Sequence, residues 1–106
     1  FPHARAVIHQ AGIGTLAQAL AAGRPQLAVP VAFDQPDNAA RAARLGVARG
    51  LPFRKADTPR LTGELDALLN GAGAAGYRKR ARGLGPRGRA EDGAERAADW
   101  IESLLL

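Results

Sequence analysis

The stretch "HQAGIGTLAQALAAGRPQLAVPVAFDQ", residues 9–35, decides how this chain is read. Gly12 and Gly14 stand just ahead of a segment in which Leu16, Ala19, Leu20 and Gly23 recur at helical spacing, and Gly23 is a natural helix stop. Upstream, "ARAVIH" (residues 4–9) is an apolar run too short for a helix, and it fits a buried parallel strand. Downstream, "RPQLAVP" (residues 24–30) is a second such run, closed by Pro30. The segment "DQPDNAARAARLG" then puts Pro36 at a first helical position and ends on Gly46, and "VARGLP" (residues 47–52) reads as a third strand. The order β-α-β-α-β predicts a parallel, Rossmann-like sheet of the α/β class. In such sheets ligands bind at the carboxyl ends of the strands.

The second half reads as helical. "LTGELDALLN" is a short helix for which Thr62 offers a cap. "AAGYRKRARGL" is a basic helix that Gly83, Gly85, Pro86 and Gly88 should break. "EDGAERAADWIESLLL" is amphipathic, with Ala94, Ala97, Ala98, Ile101, Leu104 and Leu105 on one stripe and Glu91, Glu95, Asp99 and Glu102 opposite; Trp100 lies near the stripe's boundary, as packing. Residues 1–56 thus form a β-α-β-α-β portion and residues 57–106 a helical portion of the same domain.

Bulk composition narrows the class. With 106 residues, 46% hydrophobic and 24% charged, the chain suits one globular domain or part of one. Aromatic residues make up only 5%, so the core must rest on Ala, Leu and Val. Cysteine is absent, which excludes disulfides and thiolate metal sites. No apolar run reaches the roughly 20 residues a membrane span needs, and "FPHARAVIHQ" lacks the pattern of a signal peptide. We therefore expect a cytoplasmic protein, and the missing initiator Met suggests a piece of something longer. The net charge of +5 leaves an acidic partner open, and much of the excess sits on one segment.

The two ends of the opening stretch carry the chemistry. A helix start leaves about four N–H groups unpaired and concentrates roughly half a positive charge. Glycine lets a ligand approach that backbone closely, and Thr15 adds a hydroxyl. A phosphate suits such a place, although a tight βα turn can need glycine for its shape alone. Asp34 and Gln35 should reach the same carboxyl edge. A carboxylate beside an amide can grip vicinal hydroxyls, and Asp-Gln-Pro can equally be a helix-start turn with Asp34 near the cap.

Taken in order and at these spacings, Gly12, Gly14 and Thr15, then Gly23-Arg24-Pro25, Pro30, and Asp34-Gln35 resemble the donor-binding half of GT-B glycosyltransferases. The likeness is greatest to bacterial enzymes that decorate macrolides, glycopeptides and sterols, and to UDP-glycosyltransferases. Its core covers residues 9–46, and the tail also resembles the family's end. The resemblance implies the second half of a GT-B donor domain, followed by carboxyl-terminal helices. It implies that Gln10, Gly12, Ile13, Gly14 and Thr15 hold the diphosphate of a UDP- or dTDP-linked sugar. Gln18 would meet the ribose, and Asp34 and Gln35 the hexose. Transfer in the family uses no metal or cofactor, because the helix end and hydroxyls stabilise the departing diphosphate. The acceptor, a small molecule or lipid, and the base that activates it belong to an amino-terminal domain that this chain lacks. No catalytic residue is therefore expected here, and the chain alone should be inactive and prone to aggregate.

Three departures from the family pattern stand out. Gln10 occupies the place of a phosphate-contacting histidine, and His9, one position early, should face the other way as a packed or partly exposed side chain. Ala11 replaces the first family glycine. Gln18 replaces a glutamate that grips the ribose, losing the strength of a charge-assisted bond and altering nucleoside selectivity.

Two rival readings remain. A nucleic-acid module would use Arg78, Lys79, Arg80, Arg82, Arg87 and Arg89. It lacks aromatic interleaving beyond Tyr77, a zinc motif and a recognition-helix pattern, so nucleic acid is not an expected partner. A non-catalytic remnant of a truncated glycosyltransferase would share the fold of the first reading. His3 and His9 make no metal site, having no carboxylate nearby before Asp34. No nucleophile–base pair supports a hydrolase.

Overall fold

The computed structural model describes residues 5–90. Three short parallel strands, β1 (Val7–His9), β2 (Gln26–Ala28) and β3 (Ala48–Gly50), lie in the order β1-β2-β3. Val7 pairs with Gln26, and Gln26 with Ala48. Helix α1 (Ile13–Ala21) joins β1 to β2, and α2 (Gln35–Arg44) joins β2 to β3. A 3-10 turn at Phe53–Lys55 leads to α3 (Thr58–Leu69) and α4 (Ala74–Ala90). The alternation expected from the short apolar runs is therefore present, as an α/β parallel sheet.

The sheet is covered on both faces because side chains alternate along a strand. On β2, Leu27 and its follower Val29 pack with Leu68 of α3. Ala28 points the other way, against Ala11 and Ala39. Leu16 and Leu20 of α1, Ala42 of α2, Val47, Ala48 and Ala81 of α4 form the main cluster. Alanine supplies much of this core, so helices and sheet approach closely and no bulky aromatic is needed. Among the described residues β1 has one strand neighbour, and Ile8 on it is 55% exposed.

Glycines end α1 and α2 as their positions suggested. Gly23 and Gly46 take φ values of 68 and 78, the left-handed region where glycine avoids a Cβ penalty. At Gly46 the approach is close as well. Its carbonyl accepts a 2.7 Å hydrogen bond from Arg80 Nε, and a Cβ there would lie 2.3 Å from that nitrogen.

Two helix boundaries differ from the sequence reading. Thr62 does not cap α3. The helix starts four residues earlier at Thr58, and Asp57 Oδ1 accepts from the Arg60 N–H at 2.9 Å. Asp57 with Pro59 in the first turn is a stronger start signal than a threonine one turn inside. Gly83, Gly85, Pro86 and Gly88 do not break α4, which runs to Ala90. A helical glycine costs only about 1 kcal/mol; proline keeps a helical φ but loses one hydrogen bond and crowds the preceding turn, at about 3 kcal/mol. Packing of Ala81 and Leu84 against the main cluster holds the helix on either side of Gly83. The amphipathic helix expected after residue 90, Trp100 within it, and His3 lie outside the described residues.

Candidate functional site

The carboxyl ends of β1 and β2 lead into the two segments singled out in the sequence. After His9 the chain passes through exposed Gln10 and buried Ala11 to Gly12, the N-cap position of α1. Gly14, Thr15 and Gln18 are exposed along this helix. The first helical bond recorded here runs from Leu16 N–H to Gly12 C=O at 3.0 Å. The N–H groups of Ile13, Gly14 and Thr15 precede it and have no partner within the helix. No side chain caps this end, and no acidic residue stands in the first turn. By contrast, α2 carries Asp37 in its first turn and α3 is capped by Asp57.

Neither glycine of the turn is required by the fold. Gly12 has φ −65, open to any residue. A Cβ added at Gly12 or at Gly14 would meet nothing within 4 Å. The residue that does adopt a glycine-like conformation is Ala11, at φ 70, which costs on the order of 1 kcal/mol. Three contacts hold it there. Its N–H donates to His9 Nδ1 at 2.8 Å. Its carbonyl accepts from Asn38 Nδ2 at 3.0 Å. Its methyl is fully buried against Ala28 and Ala39.

His9 is half-buried, and its role is to shape the turn. Because Nδ1 accepts from the Ala11 N–H, the neutral ring must carry its proton on Nε2, which donates to Gln26 Oε1 at 2.6 Å. Burial holds the His9 pKa below its ordinary value of 6.5, and the bond to Gln26 partly opposes that shift. The unfolded chain therefore takes up the proton first as pH falls. Stability is fully present above the unfolded value, declines as pH drops through 6.5, and levels off below the folded value. A melting temperature that falls as the pH is lowered below 6.5 is expected. His9→Asn should flatten that slope and keep the fold at neutral pH, because an asparagine oxygen accepts from the N–H two residues on. A slope that is the same in both proteins would contradict this role.

Asp34 and Gln35 open α2, with Asp34 at the cap position making no side-chain cap bond. Asp34 Oδ2 accepts from Asn38 Nδ2 at 3.3 Å. One side chain, Asn38, therefore touches both segments: the carbonyl of Ala11 in the turn and the carboxylate of Asp34. Gln35 Oε1 accepts from the N–H groups of Val31 at 2.9 Å and Ala32 at 3.2 Å. Two backbone donors on one atom fix the amide orientation and leave the Gln35 NH2 as a donor. The pair thus offers an acceptor carboxylate beside a donor amide. The loop so tied displays Phe33 at φ 62 and 96% exposure. An apolar cleft of about 390 Å³, lined by Pro30, Val31, Pro36, Pro52 and Phe53 with Arg54, lies alongside.

The sequence residues therefore gather into two hydrogen-bonded neighbours at one sheet edge. Gln10, Thr15 and Gln18 make no side-chain hydrogen bond among the described residues. Sequence reasoning missed Asn38 and Gln26. An asparagine four residues after Asp34 in a helix was the available signal for the first; nothing local marked the second, whose partner is 17 residues away.

A three-stranded parallel sheet under four helices, with these loops at its carboxyl edge, has the architecture of a GT-B carboxyl-terminal domain. The chain belongs to the glycosyltransferase family 28 C-terminal domain family, whose model matches residues 2–96. It is 39% identical over 102 residues to O-mycaminosyltylonolide 6-deoxyallosyltransferase of Streptomyces fradiae, covering 95% of this chain and 24% of that protein. An uncharacterized glycosyltransferase of Mycobacterium tuberculosis is 41% identical over 87 residues, covering 82% of this chain and 20% of its own length. The crystal structure of the glycotransferase of kitacinnamycin superposes with a TM-score of 0.74 at 31% identity, covering 99% of this chain and 26% of that one. The chain spans about a quarter or less of the length of these relatives. No described helix is long and apolar enough to cross a membrane.

Proposed function

We propose that this chain is the donor-binding part of a glycosyltransferase that moves a hexose from a nucleotide-diphosphate sugar to an acceptor. The observation that carries the reading is the start of α1. It is uncapped, it has no acidic residue, and its two glycines have open space and no need of glycine for their own packing. The N–H groups of Ile13, Gly14 and Thr15, with the Thr15 hydroxyl, would hold the diphosphate and stabilise it as it leaves. Gln10 would donate a neutral hydrogen bond there, and Gln18, a turn further along α1, would meet the ribose. Asp34 would accept from one sugar hydroxyl while the Gln35 amide donates to its neighbour. The acceptor, a small molecule or lipid, would be held from outside this chain, by an amino-terminal domain. Residues 1–56 would carry the nucleotide-sugar contacts, and residues 57–106 the helical remainder of the domain. The reading carries with it a cytoplasmic location and a base for the acceptor supplied from outside this chain. The Streptomyces relative is named as a 6-deoxyallosyltransferase, which makes a deoxyhexose a reasonable first donor to try.

The test is a titration of the chain with UDP and dTDP, followed by amide NMR. Saturable shifts are expected at residues 12–16 and at Asp34 and Gln35. A folded chain whose shifts spread elsewhere, or that shows none at millimolar nucleotide, would overturn the assignment.

A further inference from the structure

The basic segment of α4 is not a uniformly solvated face. Arg80 turns to the Gly46 carbonyl and lies 5.1 Å from the centre of the Tyr77 ring. Arg78 and Arg82, four apart and so on one helix face, instead line a cavity of about 120 Å³ with Arg5, Gly23, Arg24, Pro25 and Leu69. Arg5 precedes β1 and Arg24 precedes β2. The cavity therefore sits at the amino edge of the sheet, opposite the glycine turn and the Asp34-Gln35 pair.

Among the described residues the guanidinium groups of Arg5, Arg78 and Arg82 border this space beside Arg24, and no carboxylate does. The acids of the described salt bridges, Asp37, Asp57 and Glu64, pair with Arg41, Arg60 and Arg49. Arg78 spends one donor on the Leu69 carbonyl, at a long 3.5 Å. Like charges around one concavity repel unless an anion lies between them. Guanidinium is also the side chain best matched to a tetrahedral oxyanion, because its planar fork donates two parallel bonds.

We propose that this cavity binds a small multivalent oxyanion of the phosphate or sulfate type, as a second anion site separate from the donor site. The space admits a single such group, which Arg5 at the start of β1 and Arg78 and Arg82 on α4 would hold between them. Occupancy would tie the start of β1 to α4, two segments far apart in the chain.

Inorganic phosphate is titrated into the chain at ionic strength held constant with chloride, and amide NMR is followed. Saturable shifts are expected at Gly23 and Arg24. In Arg78→Gln/Arg82→Gln those shifts should need roughly tenfold more phosphate or be lost, since bonds to charged groups are removed. Any shifts at residues 12–15 should persist in that variant. Arg5→Gln alters no helix and repeats the test should the double variant fail to fold. Shifts confined to residues 12–15, equal responses in parent and variants, or no response at Gly23 and Arg24 would each overturn the proposal. A short DNA duplex that shifts Gly23 and Arg24 at far lower concentration than phosphate would overturn the small-anion assignment in favour of a polymer backbone.

Discussion

Gly14→Asp should make the protein more stable and destroy its affinity for nucleotide diphosphate. The two effects have opposite signs because the fold and the proposed ligand ask different things of this position. Within the chain, a side chain at Gly14 meets nothing. Replacing a helical glycine gains a few tenths of a kcal/mol, and an acidic group in an uncapped first turn adds about 0.3–1 kcal/mol. For a bound diphosphate, the same carboxylate is a like charge at close range. At an effective dielectric near 40 and about 5 Å, the repulsion is about 1.7 kcal/mol per pair of unit charges. With more than one charge on the diphosphate, a loss on the order of a hundredfold follows. Gly14→Ala separates the parts: it gains up to about 1 kcal/mol of helix stability and tests close approach without charge. Thermal melts and a UDP titration on both variants read the two effects. Retained UDP affinity in Gly14→Asp would remove α1 from the donor site. A loss of stability in either variant would show that the turn needs its glycine for shape after all.

Where the sequence was legible, the information was local. Short apolar runs, Gly23 and Gly46 as stops, and Pro36 in a first turn report on their own backbone, so the alternation of strands and helices could be read directly. The start of α3 was equally local, in Asp57 and Pro59, and was passed over for Thr62. The length of α4 was not local. Its glycines argue for a break, and tertiary packing of Ala81 and Leu84 holds the helix across Gly83. The candidate site divides in the same way. Gly12, Gly14, Thr15, Asp34 and Gln35 could be named from spacing and resemblance. The polarity of Gln35 could not, because it depends on where the N–H groups of Val31 and Ala32 point. Nor could the left-handed backbone of Ala11 and Phe33, since neither residue type announces a positive φ. The bond of His9 to the Ala11 N–H is what a strand-by-strand reading had no means to find.

Asn38 gives the second large effect, and the comparison of two substitutions isolates its cause. Its amide nitrogen reaches the Ala11 carbonyl at 3.0 Å and the Asp34 carboxylate at 3.3 Å. Asn38→Leu keeps the volume and removes both bonds. The Ala11 carbonyl, attached to a fully buried residue, is then left without that donor, which costs about 1–3 kcal/mol. Asn38→Asp keeps the shape but replaces the donor with a carboxylate facing a carbonyl oxygen and the Asp34 carboxylate. It should therefore be the worse of the two near neutral pH. Its folded-state pKa would be raised, so the extra destabilisation is fully present above that raised value. As pH falls through it, the new carboxyl gains a proton, can donate, and stability recovers relative to Asn38→Leu. Ligand binding should follow stability only in part. If Asn38 couples the two segments, Asn38→Leu should weaken UDP binding about tenfold even where the protein is fully folded, because the turn and Asp34 are no longer held in register. Equal UDP affinity in folded Asn38→Leu and parent would reduce Asn38 to a structural residue. Equal stability of the two variants across the acid range would show that its amide is not the donor these distances describe.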